Sequence, residues 1–141
     1  MKDRAQILQL LPHAGPMCLL DRAIRWSDLE MECRADSHSD PAHPLRRAGR
    51  LSAIALIEYG AQAAALHAAL QAPSGEARQR PGMIVAVRDC EWQVEYLDDL
   101  PPGLGILACR EAATADALSY RYEVSQSGRL LGRGRLVIRL A

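Results

Sequence analysis

The chain has 141 residues, 49% of them hydrophobic and 24% charged, which is enough to bury a core and too apolar for intrinsic disorder. Lys plus Arg and Asp plus Glu each total 17, so the formal net charge is zero and the basic excess expected of a nucleic-acid binder is missing. No uninterrupted apolar run approaches the ~20 residues of a membrane span, and the N-terminus alternates charged and apolar residues, unlike a signal peptide. Cys18, Cys33, Cys90 and Cys109 have no C-x-x-C spacing and fall in strand-like segments. They read as reduced thiols of a cytoplasmic protein with neither nucleic-acid nor membrane partners.

In chain order, Asp3 to Leu10 has the pattern of a short helix stopped by Pro12. Met17 to Trp26 is strand-like. Residues 29–36 alternate, with Leu29, Met31, Cys33 and Ala35 on one face and Glu30, Glu32, Arg34 and Asp36 on the other. Between Ser37 and Arg50 the pattern dissolves into a loop, SHSDPAHPLRRAGR. Leu51 to Gln71 then reads as a long, alanine-rich helix, capped by Ser52 and ended by Pro73 and Gly75. It is apolar nearly all round, the signature of a helix buried on most sides.

The remaining chain is strand-like. Met83 to Val87 is β-branched, and Trp92, Val94 and Tyr96 alternate with Glu91, Gln93 and Glu95. A turn at Asp98 to Gly103 precedes a strand from Leu104 to Arg110. Tyr120, Tyr122 and Val124 alternate with polar neighbours, and a hairpin at Gln126-Ser127-Gly128 leads into Arg129 to Leu140. The expected architecture is one α+β domain over residues 1–141, a curved antiparallel sheet wrapped around a central helix.

Glu58 lies in the middle of the apolar helix, with Gln62 one turn later on the same face. A carboxylate in such surroundings must be paired, protonated or turned toward a cavity. The structural reading is a satisfied Glu; the catalytic one is a general acid whose pKa is raised by its apolar setting. His38 and His43, in the loop feeding the helix, both qualify as the general base. His67 falls nearly opposite Glu58 in helical angle, and His13 sits in a Leu-Pro-His-Ala-Gly-Pro turn; both read as structural. The four histidines occupy unrelated segments, so no metal site is expected. Arg46, Arg47 and Arg50 flank the helix start, where a cationic cluster suits a phosphate or an acidic partner. Arg133, Arg135 and Arg139 read as the wet face of the last strand.

Two motifs together resemble a family. LPHAGPMCLLDRA at residues 11–23 resembles the opening L-P-H-R-x-P-x-L-L-V-D-R-V of the 3-hydroxyacyl-[acyl carrier protein] dehydratases of the hot-dog superfamily. ALIEYGAQAAAL at 55–66 is similar to their L-x-x-E-A-M-A-Q helix motif, with Glu58 and Gln62 in register. The family's G-H-F-P-G loop is absent, and His43 lies one residue further from Glu58 than the family's histidine. A divergent branch associated with aryl-polyene pigment clusters is more similar: its loop, S-H-x-D-P-x-N-P-L-R, matches His38 and carries Asn where this chain has His43. Which histidine is the base stays open at this point.

The resemblance implies a hot-dog dimer, homodimeric or heterodimeric, with active sites at the subunit interface. A histidine of one subunit would remove the C2 proton of a 3-hydroxyacyl thioester, and Glu58 of the other would protonate the departing hydroxyl. Backbone amides near Ser52 to Ile54, those of Ala53 and Ile54 among them, would polarise the thioester carbonyl, and Gln62 would belong to the substrate-binding residues. The implied partner is acyl carrier protein, whose phosphopantetheine bears the substrate. Elimination of water requires no further cofactor. Two alternatives are a hot-dog acyl thioesterase and a non-catalytic acyl-binding or partner subunit of a heterodimeric dehydratase.

Overall fold

The computed structural model describes residues 1–11, 15–72 and 82–140. Pro12, His13, Pro73 and Gly75 lie outside the described residues, and the readings made for them with them. A short strand β1 (Lys2–Asp3) runs directly into helix α1 (Arg4–Leu10). Asp3 caps that helix reciprocally: its carboxylate accepts from the Gln6 amide, while the Gln6 side chain accepts from the Asp3 amide. Strands β2 (Arg22–Trp26) and β3 (Glu30–Ala35) follow, then the Ser37–Arg50 loop and helix α2 (Leu56–Gln71). Strands β4 (Gly82–Trp92), β5 (Leu104–Ala113), β6 (Ala117–Gln126) and β7 (Arg129–Leu140) complete the chain.

All seven strands form one antiparallel sheet in the order β1-β2-β3-β5-β6-β7-β4. One face packs on α2, which touches β3, β5, β6 and β7. The period-two pattern decides which side chains reach the helix: Met31, Cys33 and Ala35 on β3, Ile106 and Ala108 on β5, and Tyr120, Tyr122 and Val124 on β6 are all buried. Ser127 and Gly128, with φ of 51° and 78°, supply the two left-handed residues that a tight β6–β7 hairpin needs.

Several boundaries differ from the sequence expectation. The strand expected from Met17 begins only at Arg22, after a 3-10 turn at Gly15–Met17. Leu29 is 62% exposed rather than inward, because β3 begins at Glu30 and Leu29 belongs to a turn closed by the Ser27 amide on the Glu30 carbonyl. The long helix does not start at Leu51. Residues 51–53 pair with 95–97 through Leu97 N–H to Leu51 O (2.8 Å) and Ala53 N–H to Glu95 O (2.9 Å). The backbone at Ser52 is therefore extended, and a 3-10 turn at Ala53–Ala55 leads into α2. For the same reason the Trp92–Tyr96 alternation is not a continuation of β4: after a last bond from the Gln93 amide to Leu131 O (2.7 Å) the chain leaves β7 and crosses to the helix entrance. The thiols also divide, Cys18 and Cys33 being buried and Cys90 and Cys109 half-buried, all four free. Burial pushes the Cys33 thiol up to about 12.

The span Ala53–Gln71 is long and apolar enough to cross a membrane, yet 61% of its most apolar window is buried inside the protein, as befits a core helix. It approaches the sheet tightly at Gly60, where a Cβ would overlap the ring of the buried Tyr122. Further along, His67 is fully buried. Its Nε2–H donates to the Ser27 carbonyl (2.9 Å), and its Nδ1 accepts from the Tyr120 hydroxyl (2.7 Å). Burial, assisted by Arg110, lowers the His67 pKa against weaker opposing effects from Ser27 and Asp28.

Two outcomes follow. Gly60→Ala gains up to about 1 kcal/mol of helix propensity, but the overlap with Tyr122 costs more, for a net loss of about 1–2 kcal/mol in urea denaturation. Because burial also depresses His43, the unfolded chain binds more protons than the folded one as pH falls below about 6.5. Stability therefore drops between about pH 7 and about pH 5.5, and His67→Gln reduces that slope in urea titrations at each pH.

Candidate active site

Glu58 stands in the first turn of α2, half-buried. It shares a stripe at helical spacing with Ile54, Ile57, Ala65 and Ala68 that the chain's own sheet leaves partly uncovered. Its orientation comes from Gln62. That side chain is fully buried, and its oxygen accepts from the Leu19 amide (2.8 Å). Its nitrogen donates both to the Met17 carbonyl (2.8 Å) and to Glu58 Oε1 (3.0 Å). The 17–19 segment is itself held from the other side by Arg4, which donates to the carbonyls of Cys18 (2.6 Å) and Gly15 (2.8 Å). The two sequence motifs thus meet at one carboxamide.

The two histidines of the loop have opposite hydrogen-bonding states. His38 is fully buried, and its Nε2 lies between the carbonyls of Pro101 (2.9 Å) and Leu100 (3.2 Å). A carbonyl can only accept, so Nε2 carries the proton and Nδ1 presents a lone pair. Nδ1 is buried with no hydrogen-bond partner among the described residues, an arrangement that costs about 1–3 kcal/mol when left unmade. The carbonyl pair is located by the Asp98–Gly103 turn, whose Gly103 amide donates to Asp36, two residues before His38.

In His43 the Nδ1 lone pair is occupied by the Leu45 amide (3.1 Å), and Nε2 meets the Tyr59 hydroxyl (3.2 Å). With Nδ1 accepting, the proton of the neutral ring is on Nε2, so neither nitrogen has an unoccupied lone pair. Burial and the nearby Arg46 lower its pKa, which keeps the ring neutral.

The three arginines read as a cationic cluster also make contacts within the protein. Arg46 donates to the carbonyls of Asp40 (2.8 Å), Gly49 (3.0 Å) and His38 (3.2 Å) and so braces the loop from inside. Arg47, exposed, donates to the carbonyls of Arg46 and Pro44. Arg50 pairs with Asp98 (2.9 Å) and Asp99 (2.8 Å) and lies 3.9 Å over the Tyr96 ring. The Leu51 amide and Arg50 together hold the Asp98 carboxyl below the usual range. The amides of Ala53 and Ile54 donate to Glu95 O (2.9 Å) and Ser52 Oγ (3.3 Å).

Sequence reasoning missed Ser37 and Tyr59, which connect the loop to the helix through a 2.6 Å hydroxyl–hydroxyl bond. The available signal was a tyrosine next to Glu58 in an otherwise apolar helix, since a buried phenol needs a partner. Among the described residues no group of three or more His, Cys, Asp or Glu converges as metal ligands. A groove of about 400 Å³ lies on the opposite face of the sheet, lined by Arg25, Glu32, Arg34, Leu107 and Glu123, and it includes neither Glu58 nor the histidines.

Comparison with known proteins adds the family. No curated protein matches the chain. The dehydratase heterocomplex ApeI:P from Xenorhabdus doucetiae superposes with a TM-score of 0.81 at 26% identity, covering 96% of this chain and 90% of the other. A thioesterase from Haemophilus influenzae shares the fold at a TM-score of 0.71 and 10% identity, over 100% and 92% of the two chains. A hypothetical thioesterase from Streptococcus pneumoniae, solved with coenzyme A, does so at 0.61 and 10%, over 85% and 84%. The ApeP-like family, described as ApeP dehydratase, matches residues 5–139. A hot-dog sheet around one helix, with Glu58 and Gln62 joined as the sequence motif requires, completes that picture: the chain belongs to the ApeP-like dehydratases.

Proposed function

We propose that this dehydratase acts on 3-hydroxyacyl thioesters carried on the phosphopantetheine of an acyl carrier protein, giving trans-2-enoyl thioesters, with Glu58 as general acid and His38 as general base. The observation that carries the assignment is the contrast between the histidines. His38 presents a bare Nδ1 while its Nε2–H is fixed on the Pro101 carbonyl, and His43 has both nitrogens engaged. A ring fixed by a carbonyl on one nitrogen and bare on the other is suited to accept a proton.

In the proposed step, His38 Nδ1 takes the C2 proton and the C2–H electrons form the C2=C3 bond. The C3–O bond breaks, and Glu58 delivers a proton so that the hydroxyl leaves as water. Gln62 keeps the Glu58 carboxyl directed while the substrate enters. The reaction moves protons only, so the carrier's phosphopantetheine is the only prosthetic group the proposal calls for.

A second hot-dog subunit, either a copy of this chain or a homologous partner, would face Glu58 and bring a histidine to it. The surface supports such a partner. Edge strand β4 exposes Met83 (69%), Val85 (53%), Val87 (41%) and Trp92 (47%), and the stripe bearing Glu58 adds Ile54 (59%). An unpaired apolar edge of this kind is a template for another strand. The heterocomplex similar to this chain is itself an assembly of two different subunits.

Glu58→Gln and His38→Ala each lower the rate of enoyl thioester formation by about 10²–10⁴-fold, whereas His43→Ala loses no more than about tenfold. Equal collapse of His38→Ala and His43→Ala would remove the base assignment. Val85→Lys shifts the assembly toward monomer in light scattering, while an unchanged mass would move the interface away from β4.

A further inference from the structure

The tyrosine beside Glu58 ties the helix turn that bears the acid to the loop that bears His38 in the same subunit, two groups that serve neighbouring sites of the proposed assembly. Donor and acceptor roles along its chain follow from the ends inward. The Leu45 amide occupies His43 Nδ1, so the His43 proton is on Nε2 and points at the Tyr59 oxygen. Tyr59 O–H then donates to Ser37 Oγ (2.6 Å), and Ser37 O–H donates to the Leu19 carbonyl (2.7 Å). Every hydroxyl has one donor and one acceptor partner, and no other order satisfies all of them.

Leu19 is where this chain meets the acid. Its carbonyl receives Ser37, and its amide donates to Gln62, which holds Glu58. The hydrogen bonds run Glu58, Gln62, Leu19, Ser37, Tyr59, and the backbone between Tyr59 and Glu58 closes the ring. On the loop side, Tyr59 touches residues on both flanks of His38: Ser37 immediately before it and His43 five residues after. Tyr59 is fully buried, and burial holds its hydroxyl protonated, above the ordinary tyrosine range.

We infer that Tyr59 is a positioning residue whose hydroxyl closes this ring and fixes the His38 loop against the helix turn that bears Glu58. It touches no reacting atom and acts by holding the acid of one site and the base of the neighbouring site in fixed places on one subunit's frame, each having to meet its counterpart on the other subunit within fractions of an ångström. The inference rests on the Glu58 and His38 assignment, but its structural half can be read without catalysis.

The test is Tyr59→Phe, which removes one oxygen and keeps the ring, compared with Ser37→Ala and the double variant. Hydrogen exchange should speed in the 37–47 peptide and stay unchanged in the 60–71 peptide. Turnover should fall about tenfold with KM within about twofold, and the double variant should be no slower than Tyr59→Phe alone because both hydroxyls act through one chain. Unchanged loop exchange, or losses that multiply in the double variant, would overturn the inference. If the loop loosens while His38→Ala keeps full activity, the ring stands as a loop anchor and the base assignment fails, so the two outcomes are separable. Wild-type turnover in Tyr59→Phe with a loosened loop would show that the fixed loop does not serve the reaction.

Discussion

One buried carboxamide sets the geometry on which the rest depends. Gln62 has no exposure, and each of its hydrogen-bonding groups is engaged: the oxygen by Leu19, the nitrogen by Met17 and Glu58. A buried amide left half-satisfied would cost several kcal/mol, so the 17–19 backbone and the helix can meet only in this register. Glu58 is oriented as a by-product of that requirement. Arg4 also fixes this segment, so the N-terminal helix contributes to the site through it.

The central helix can approach the sheet closely because its packing side is built from small residues. Ala63 and Ala64 are fully buried, and Gly60 admits the Tyr122 ring where no Cβ would fit. The bulkier polar-tipped residues, Tyr59 and His67, are then placed where their tips find partners: Ser37 and His43 for one, Tyr120 and Ser27 for the other. Both are satisfied, and burial disfavours a charge on each, so they stiffen the core around the half-buried Glu58.

The architecture was largely legible in the sequence because it rests on period. Alternation marked β3 and β6, and an all-round apolar run marked the buried helix. The Glu58–Gln62 contact followed from their i, i+4 spacing. What was not legible depends on contacts between distant segments. The choice between His38 and His43 turns on carbonyls 62 and 63 residues further along the chain. The pairing of Arg50 with acids at positions 98 and 99, and the placement of Arg46 on three carbonyls of its own loop, were likewise not readable from spacing. The Trp92–Tyr96 alternation did not announce a strand: the chain bends at Gln93 and Glu95, and only the fold shows that it turns from β7 to the helix entrance.

Glu58, the stripe around it and the β4 edge all lie on surfaces that one copy of the chain leaves uncovered, which is why the proposed site needs a second subunit while its supporting hydrogen bonds do not. The most direct measurement is intact-mass spectrometry of a 3-hydroxyacyl-loaded acyl carrier protein incubated with the purified, assembled protein. The proposed chemistry predicts loss of one water from the loaded carrier, with the acyl chain still attached. Release of the free carrier thiol, with no dehydrated species at any time, would contradict it and assign the site to thioester hydrolysis instead.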